Sequence, residues 1–274
     1  MLDMAIAVDP DYAWAFSEKG WVQKSEGDLE ASIASFKQAV EINPNYGFAL
    51  YWLAVNHRKL DRLEEALDFA NRSNDAGYGY WALVERSRIL LAMGRRVQAM
   101  RDATLAIETD PAREAAYVSK AKALNDMGLI GVALTVYRDM PDEVERSDYS
   151  YYWEADLLLE DGDVEAADRV IDKAIALNAE DNDNWSLKAY IAVESDRFST
   201  ALDAALKASM LDETDAWARL YQAVALVHLD KKEEALEQFG RAVEMGISDG
   251  NKSWFIAHLV EEGFSDDARA LRDR

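Results

Sequence analysis

The chain has three histidines, His57, His228 and His258, and no cysteine. Imidazole is the side chain that titrates near neutral pH, so these three are the first candidates for proton transfer or metal ligation. They share no spacing, and a zinc site would need ligands close together in sequence. His57 reads as a packed or capping side chain. Asp181-Asn182-Asp183-Asn184 alternates carboxylate and amide as a calcium loop does. It lacks the turn glycine and the distal glutamate, so it reads as a polar turn. No glycine-rich phosphate loop and no serine nucleophile motif is present. Without cysteine, disulfides and thiolate chemistry are excluded. No metal set and no cofactor motif emerges, and the chain reads as non-enzymatic. The chemistry that remains is recognition. Eight tryptophans and twelve tyrosines are the side chains most enriched where protein partners dock.

Charge narrows the partner. The formal net charge is −22. Residues 1–140 carry a net of −4 and residues 141–274 a net of −18. Such a field repels phosphate backbones, which argues against nucleic acid. The acidic half reads as a solvated surface or as a docking place for a basic partner. No apolar run reaches the length of a membrane span, so membrane insertion is not expected. The N-terminus lacks the basic start and apolar core of a secretory signal, and the expected location is the cytoplasm.

The elements that must position these side chains announce themselves by a repeat. A turn-forming Gly or Asp recurs at Gly27, Asp61, Gly94, Gly128, Gly162, Asp196, Asp230 and Gly263, at spacings of 33 or 34 residues. Five residues after each comes a small side chain: Ser32, Ala66, Ala99, Ala133, Ala167, Ala201, Ala235 and Ala268. Gly and Asp tolerate the backbone geometry of a tight break between helices. The small residue falls about one turn into the next helix, where bulk would force two backbones apart. Each repeat therefore reads helix, tight turn, helix, and a fixed period of this size means a stacked array.

Further small residues follow the same period. Gly20, Ala54, Ser87, Ala121, Ala155, Ala189 and Ala223 recur in the first helices, and Ala39, Ser73, Ala106, Ala174, Ala208 and Ala242 in the second. Pro10, Pro44 and Pro111 precede the following repeat. On these residues the chain resembles the tetratricopeptide repeat family, whose unit is a 34-residue helical hairpin. Met140, Ile256 and four missing prolines depart from the pattern. The resemblance implies an all-α, right-handed α-solenoid of stacked helix-turn-helix repeats spanning residues 1–274. In register, residues 1–12 are a half-repeat. Full repeats run over about 13–46, 47–79, 80–113, 114–147, 148–181, 182–215 and 216–248, and a truncated one over 249–274. The opening in mid-repeat suggests a trimmed upstream part or a half-repeat cap. Residues 74–79 read as a loop where the family usually has Pro. Pro141 should end a helix and leave a bend at Met140–Arg146, the best candidate for a joint.

In this family the first helices line a concave groove, and the resemblance implies the same face here. By register the groove face holds Trp14, Trp21, Phe48, Tyr51, Trp52, Trp81, Tyr149, Tyr152, Trp153, Tyr190, Trp217, Tyr221 and Trp254; Trp185 falls on a packing position. The partner-binding set chosen from this face is Trp21, Tyr51, Trp52, Arg58, Trp81, Arg88, Lys122, Tyr152, Trp153, Tyr190, Trp217 and Tyr221. Lys24, Arg58, Lys59, Arg88 and Lys122 put positive charge on the first four repeats. Asp156, Glu160, Asp183, Glu194 and Glu261 put negative charge on the last four, a gradient that would orient an extended peptide. Members that bind heat-shock chaperone tails grip a peptide C-terminus with a carboxylate clamp of Lys, Asn and Arg. The matching places here hold Ser17, Trp21, Trp52, Trp81 and Glu85, so that clamp is not expected. The reading is a scaffold or adaptor holding a peptide or helix of a protein partner. The alternatives are a regulatory or substrate-recruiting segment of a larger enzyme, and self-assembly through an apolar N-terminal face of Leu2, Ala5 and Ile6.

Overall fold

A computed structural model describes residue 9 and residues 12–272. The expected half-repeat at the N-terminus, with Leu2, Ala5, Ile6 and Pro10, lies outside the described residues. Contacts divide the chain into two compact units, residues 1–145 and 146–274. The first unit holds α1 (Ala13–Ser25), α2 (Leu29–Ile42), α3 (Gly47–Lys59), α4 (Leu63–Ser73), α5 (Gly79–Ala92), α6 (Arg96–Thr109), α7 (Glu114–Asp126) and α8 (Ile130–Arg138). The second holds α9 (Asp148–Glu160), α10 (Val164–Leu177), α11 (Asn182–Glu194), α12 (Phe198–Leu211), α13 (Ala216–His228), α14 (Lys232–Glu244), α15 (Asp249–Glu261) and α16 (Ser265–Arg272). Each is a stack of antiparallel helix pairs, the all-α solenoid architecture that the period predicts. No described helix is long and apolar enough to cross a membrane.

All eight periodic turn residues adopt a left-handed backbone. Gly27, Gly94, Gly128, Gly162 and Gly263 have φ between 71° and 87°, and Asp61, Asp196 and Asp230 have φ of 55–57°. The reversal lets the next amide bond back to the last turn of the first helix, as Asp28 N–H does to the Gln23 carbonyl at 3.0 Å. The residue after the glycine can then cap the second helix. Asp28 accepts from the Ala31 amide and Asp163 from the Ala166 amide, each at 3.0 Å. This accounts for the Gly-Asp pairs as one device, a turn followed by an N-cap.

The small residues are buried where helices meet. Ala54, Ala66, Ala99, Ala121, Ala155, Ala167, Ala189, Ala201 and Ala223 have no exposed surface. Where serine takes the place of alanine, its hydroxyl donates to the facing backbone: Ser32 to the Gly20 carbonyl at 2.7 Å, Ser87 to the Ala99 carbonyl at 2.8 Å. A buried hydroxyl without such a partner would cost about 1–3 kcal/mol. Larger apolar side chains fill the space between pairs, among them Phe36, Leu50 and Leu53 in the first unit and Leu157, Ile171, Ile191, Leu220 and Phe255 in the second. Each such burial is worth roughly 1.5–3 kcal/mol.

Two connections depart from the regular turn. Residues 74–78 form a π-helical turn kinked at Gly77 (φ 82°), and not the plain loop expected from sequence. The turn brings Tyr78 against Tyr51 and Phe48, with ring centroids 5.4 and 6.2 Å apart. The bend at Pro141 forms as expected. Helix α8 stops at Arg138, the Val144 amide donates to the Pro141 carbonyl at 3.0 Å, and Met140 and Val144 are buried.

Gly20 faces the ring of Phe36, where the following repeats place Ala70 and Ala103. A Cβ added at Gly20 would stand 2.9 Å from Phe36 Cδ2 and Cε2. Phe36 is fully buried and has no free space to yield. Overpacking of this kind costs about 1–3 kcal/mol, against about 1 kcal/mol gained in helix propensity. Gly20→Ala is therefore expected to destabilise the chain by about 1 kcal/mol, read as a lowered urea midpoint at constant slope; an unchanged or raised midpoint would contradict the packing argument.

Candidate functional site

In the first unit the side chains chosen from the first helices are largely engaged with one another. Tyr51 and Trp52 meet edge to face at 5.1 Å, Phe48 adds a third ring at 6.1 Å from Trp52, and Lys24 Nζ stands 4.7 Å above the Trp52 ring. The buried Trp52 indole N–H has no hydrogen-bond partner among the described residues. Trp81 packs edge to face on Tyr80 at 5.0 Å and under the Arg113 guanidinium at 5.2 Å. Trp21 remains 44% exposed. Lys122 is half-buried on α7.

The positive charges of this unit converge on an acid. Arg58 Nε donates to Glu85 Oε1 at 2.5 Å, and Arg88 lies 3.7 Å from the other oxygen. Glu85 is 1% exposed. Burial, then the Glu85 charge, pushes the Tyr51 phenol up to about 12. The positive set read from sequence is thus partly spent inside the fold, because Glu85 comes from the neighbouring first helix. Arg58→Ala would leave Glu85 buried beside a weaker partner. Losing one member of a buried pair costs about 3–5 kcal/mol, reduced here because Arg58 is partly exposed. A loss of about 2–3 kcal/mol is expected, larger than for Arg88→Ala, and equilibrium unfolding of the two variants tests that order.

The second unit presents a cavity. It has a volume of about 570 Å³ and is built by four successive first helices. Helix α9 supplies Tyr152 and Asp156; α11 supplies Asp183, Ser186, Leu187 and Tyr190; α13 and its N-cap supply Trp217, Tyr221 and Asp215; α15 supplies Asn251 and Trp254. Tyr190 and Tyr221 stack with centroids 5.4 Å apart and planes 9° apart. Trp254 stands at right angles to both, at 6.0 and 6.1 Å, and Trp217 lies 6.0 Å from Tyr221. The carboxylate of Asp215 is fixed from three sides. It accepts from Ser186 Oγ at 2.5 Å, from Asn182 Nδ2 at 3.2 Å and from the Ala218 amide at 2.9 Å. Burial first, and neighbouring acids next, push the Tyr152 phenol upward. Tyr221 is raised by burial and then by the neighbouring tyrosines and acids.

Of the side chains chosen from sequence, Tyr152, Tyr190, Trp217 and Tyr221 are brought together here. Trp153 is not in the lining; it packs edge to face on Tyr152 at 5.4 Å and on Tyr149 at 6.0 Å. Asp215, Ser186 and Asn251 were missed, although Asp215 stands two residues before Trp217 in the helix-capping place. Trp185 packs as expected, its Nε1 donating to the Ala179 carbonyl at 2.9 Å. Asp181–Asn184 opens α11, with Asp181 accepting from the Asp183 amide at 2.9 Å.

The histidines need one correction. Sequence spacing separates His228 from His258, yet stacking of α13 on α15 puts Nε2 of the first 2.8 Å from Nδ1 of the second. His228 Nδ1 bonds Glu262 at 2.7 Å, and Glu261 lies 3.4 Å from His258. His228, His258 and Glu261 could together hold a metal ion, so the close-spacing argument fails in a stacked repeat. Here the ring nitrogens are hydrogen-bonded to each other, and Phe198 stacks on His228 at 3.9 Å. Burial, then the neighbouring His228, holds His258 below the usual range. His57 is packed, as expected, against Phe69 at 5.2 Å.

Burial, with Asp181 and Asp215 next, holds the Asp183 carboxyl above the usual range. Folding therefore favours its neutral form. The neutral form's advantage is complete below the unfolded value of about 3.9 and is lost as pH rises through the folded value. Asp183→Asn is expected to raise Tm near pH 7 and to leave it unchanged near pH 3. An equal shift at both pH values would contradict the electrostatic cause.

Comparison with known proteins agrees with the architecture. A family model described as "Tetratricopeptide repeat" matches residues 15–46 and 149–181. A second, "Bacterial transcriptional activator domain", matches residues 79–146. No curated protein sequence matches the chain. Among solved structures, a tetratricopeptide repeat protein from Parabacteroides merdae aligns with a TM-score of 0.63 at 17% identity, over 90% of this chain and 98% of that one. Yeast Tom70 aligns with a TM-score of 0.69 at 16% identity, over 99% of this chain and 58% of its own. The Cut9–Hcn1 hetero-tetramer aligns with a TM-score of 0.67 at 13% identity, over 85% of this chain and 46% of that chain. At these identities the likeness concerns the fold alone.

Proposed function

Taking the chain as a protein of tetratricopeptide repeats, we propose that it is a non-enzymatic scaffold that holds a peptide segment or helix of a protein partner on the face of its first helices. The observation that carries this reading is the cavity of the second unit, whose tyrosine and tryptophan rings come from four successive first helices. Rings of this kind supply large, rigid contact area at low entropic cost, which is why they dominate binding energy where proteins meet. The fold itself is a supporting analogy, since repeat stacks commonly serve as binding surfaces. Cut9, one of the similar structures, is seen in a hetero-tetramer with Hcn1.

Trp217 is 48% exposed at the cavity, so its removal should cost little stability. As a binding anchor it should be worth about 2 kcal/mol, or roughly thirtyfold in affinity. Trp217→Ala is expected to release a partner captured by the wild type, while Met210→Ala, 77% exposed on the second helix α12, keeps it. Equal capture by all three proteins would remove the groove reading. A second reading, a regulatory segment of a larger protein, draws on the match of residues 79–146 to a transcriptional activator domain. Under it the Trp217 variant would alter the output of an attached domain and not the capture of a separate partner.

A further inference from the structure

We propose that the cavity of the second unit is a receptor for a positively charged side chain, lysine or arginine, carried by the partner segment. This rests on the groove reading above and names the chemistry of what the groove takes. Two kinds of group dominate the lining, and they agree on one occupant. Tyrosine and tryptophan rings carry negative faces that attract a cation within about 6 Å. Here Tyr190 and Trp217 both stack on Tyr221, and Trp254 stands across Tyr190 and Tyr221, so four rings gather at one side of the cavity. Carboxylates supply the complementary charge. Asp215 is held in place by Ser186, Asn182 and the Ala218 amide, so little ordering remains to be done when a cation arrives. The charged groups that act on Asp183 are all acids: Asp181, Asp215 and Asp212. No Lys, Arg or His stands among the residues that line the cavity.

Tyr221 adds an acceptor. It is 7% exposed and lines the cavity. Its hydroxyl has no hydrogen-bond partner among the described residues. That hydroxyl can accept from an N–H donor of an entering side chain. Other occupants fit worse. An apolar side chain would use the rings but strip water from the carboxylates without replacing it. An acidic one would meet like charge. A long stem ending in a cation uses both halves of the lining, the stem against the rings and the head against the acids. The net charge of −18 on residues 141–274 would draw a basic segment in from a distance.

The test uses the full chain labelled with nitrogen-15, following the indole N–H signals of Trp217 and Trp254, assigned with Trp217→Phe and Trp254→Phe. The probes are N-acetyl-arginine methylamide, N-acetyl-lysine methylamide and, as the neutral isostere, N-acetyl-norleucine methylamide. Saturable shifts of both indoles are expected with the two cationic probes and not with norleucine, at affinities in the millimolar range fitting for one side chain. Asp183→Asn should weaken that binding about tenfold, and added salt should weaken it in the wild type. The proposal is overturned by equal shifts with the norleucine probe, by no shift at about 50 mM of either cation, or by unchanged affinity in Asp183→Asn. These probes report on the cavity without any partner. Their failure beside a partner that Trp217→Ala still releases would sink the cation chemistry and leave the groove reading standing. Cation binding by a chain whose partner ignores Trp217→Ala would do the reverse.

Discussion

The close approach of two helix backbones at a small side chain is the constraint on which the rest depends. At Ala54, Ala121, Ala155, Ala189 and Ala223 the first helices carry nothing larger than a methyl group, and these residues are fully buried. Approach at that distance is possible only if the connecting turn reverses the chain at once, which is why all eight turn residues sit at positive φ. Three of them are aspartates, which bear that conformation at modest cost. Where serine replaces alanine, its hydroxyl bonds the facing carbonyl and the contact stays tight. Size, turn geometry and hydrogen bonding thus answer to one requirement.

Stacking under that constraint converts sequence separation into proximity. Tyr190, Tyr221 and Trp254 come from three successive first helices, yet their rings touch. His228 and His258 meet by the same rule. Their separation of 30 residues falls one helical turn short of the period, and side chains that lean along the helix bridge the difference. A repeat protein can therefore assemble a site from residues that no local motif would join.

The two compact units use the same scaffold for different ends. In the first, the charges and rings of the first-helix face are largely consumed: Arg58 and Arg88 by Glu85, Trp52 by Lys24 and Phe48. In the second, the rings surround a cavity and acids stand beside acids. Two basic side chains of this unit are engaged with acids of α10. Lys188 is held by Asp168 and Asp172, and Arg197 by Asp168. Unbalanced charge beside the rings is what distinguishes this surface from that of the first unit, where charges and rings stabilise the fold.

The sequence by itself determined the helices, their pairing and their turns, because a period of 33 or 34 residues with a small side chain five after each Gly or Asp admits one local solution. It also determined which face holds Tyr152, Tyr190, Trp217 and Tyr221, since register fixes direction along a helix. It did not determine which of the first-helix rings would stay exposed. Trp52 and Trp81 share that register and are packed, while Trp217 stays exposed. Nor did it reveal the role of Asp215, a helix cap that also joins the cavity, or of Tyr78, carried to the aromatic cluster by a π-helical turn. These were decided only by tertiary structure. Register states where a side chain points, but whether it meets a neighbour, an opposite charge or open space depends on residues one repeat away.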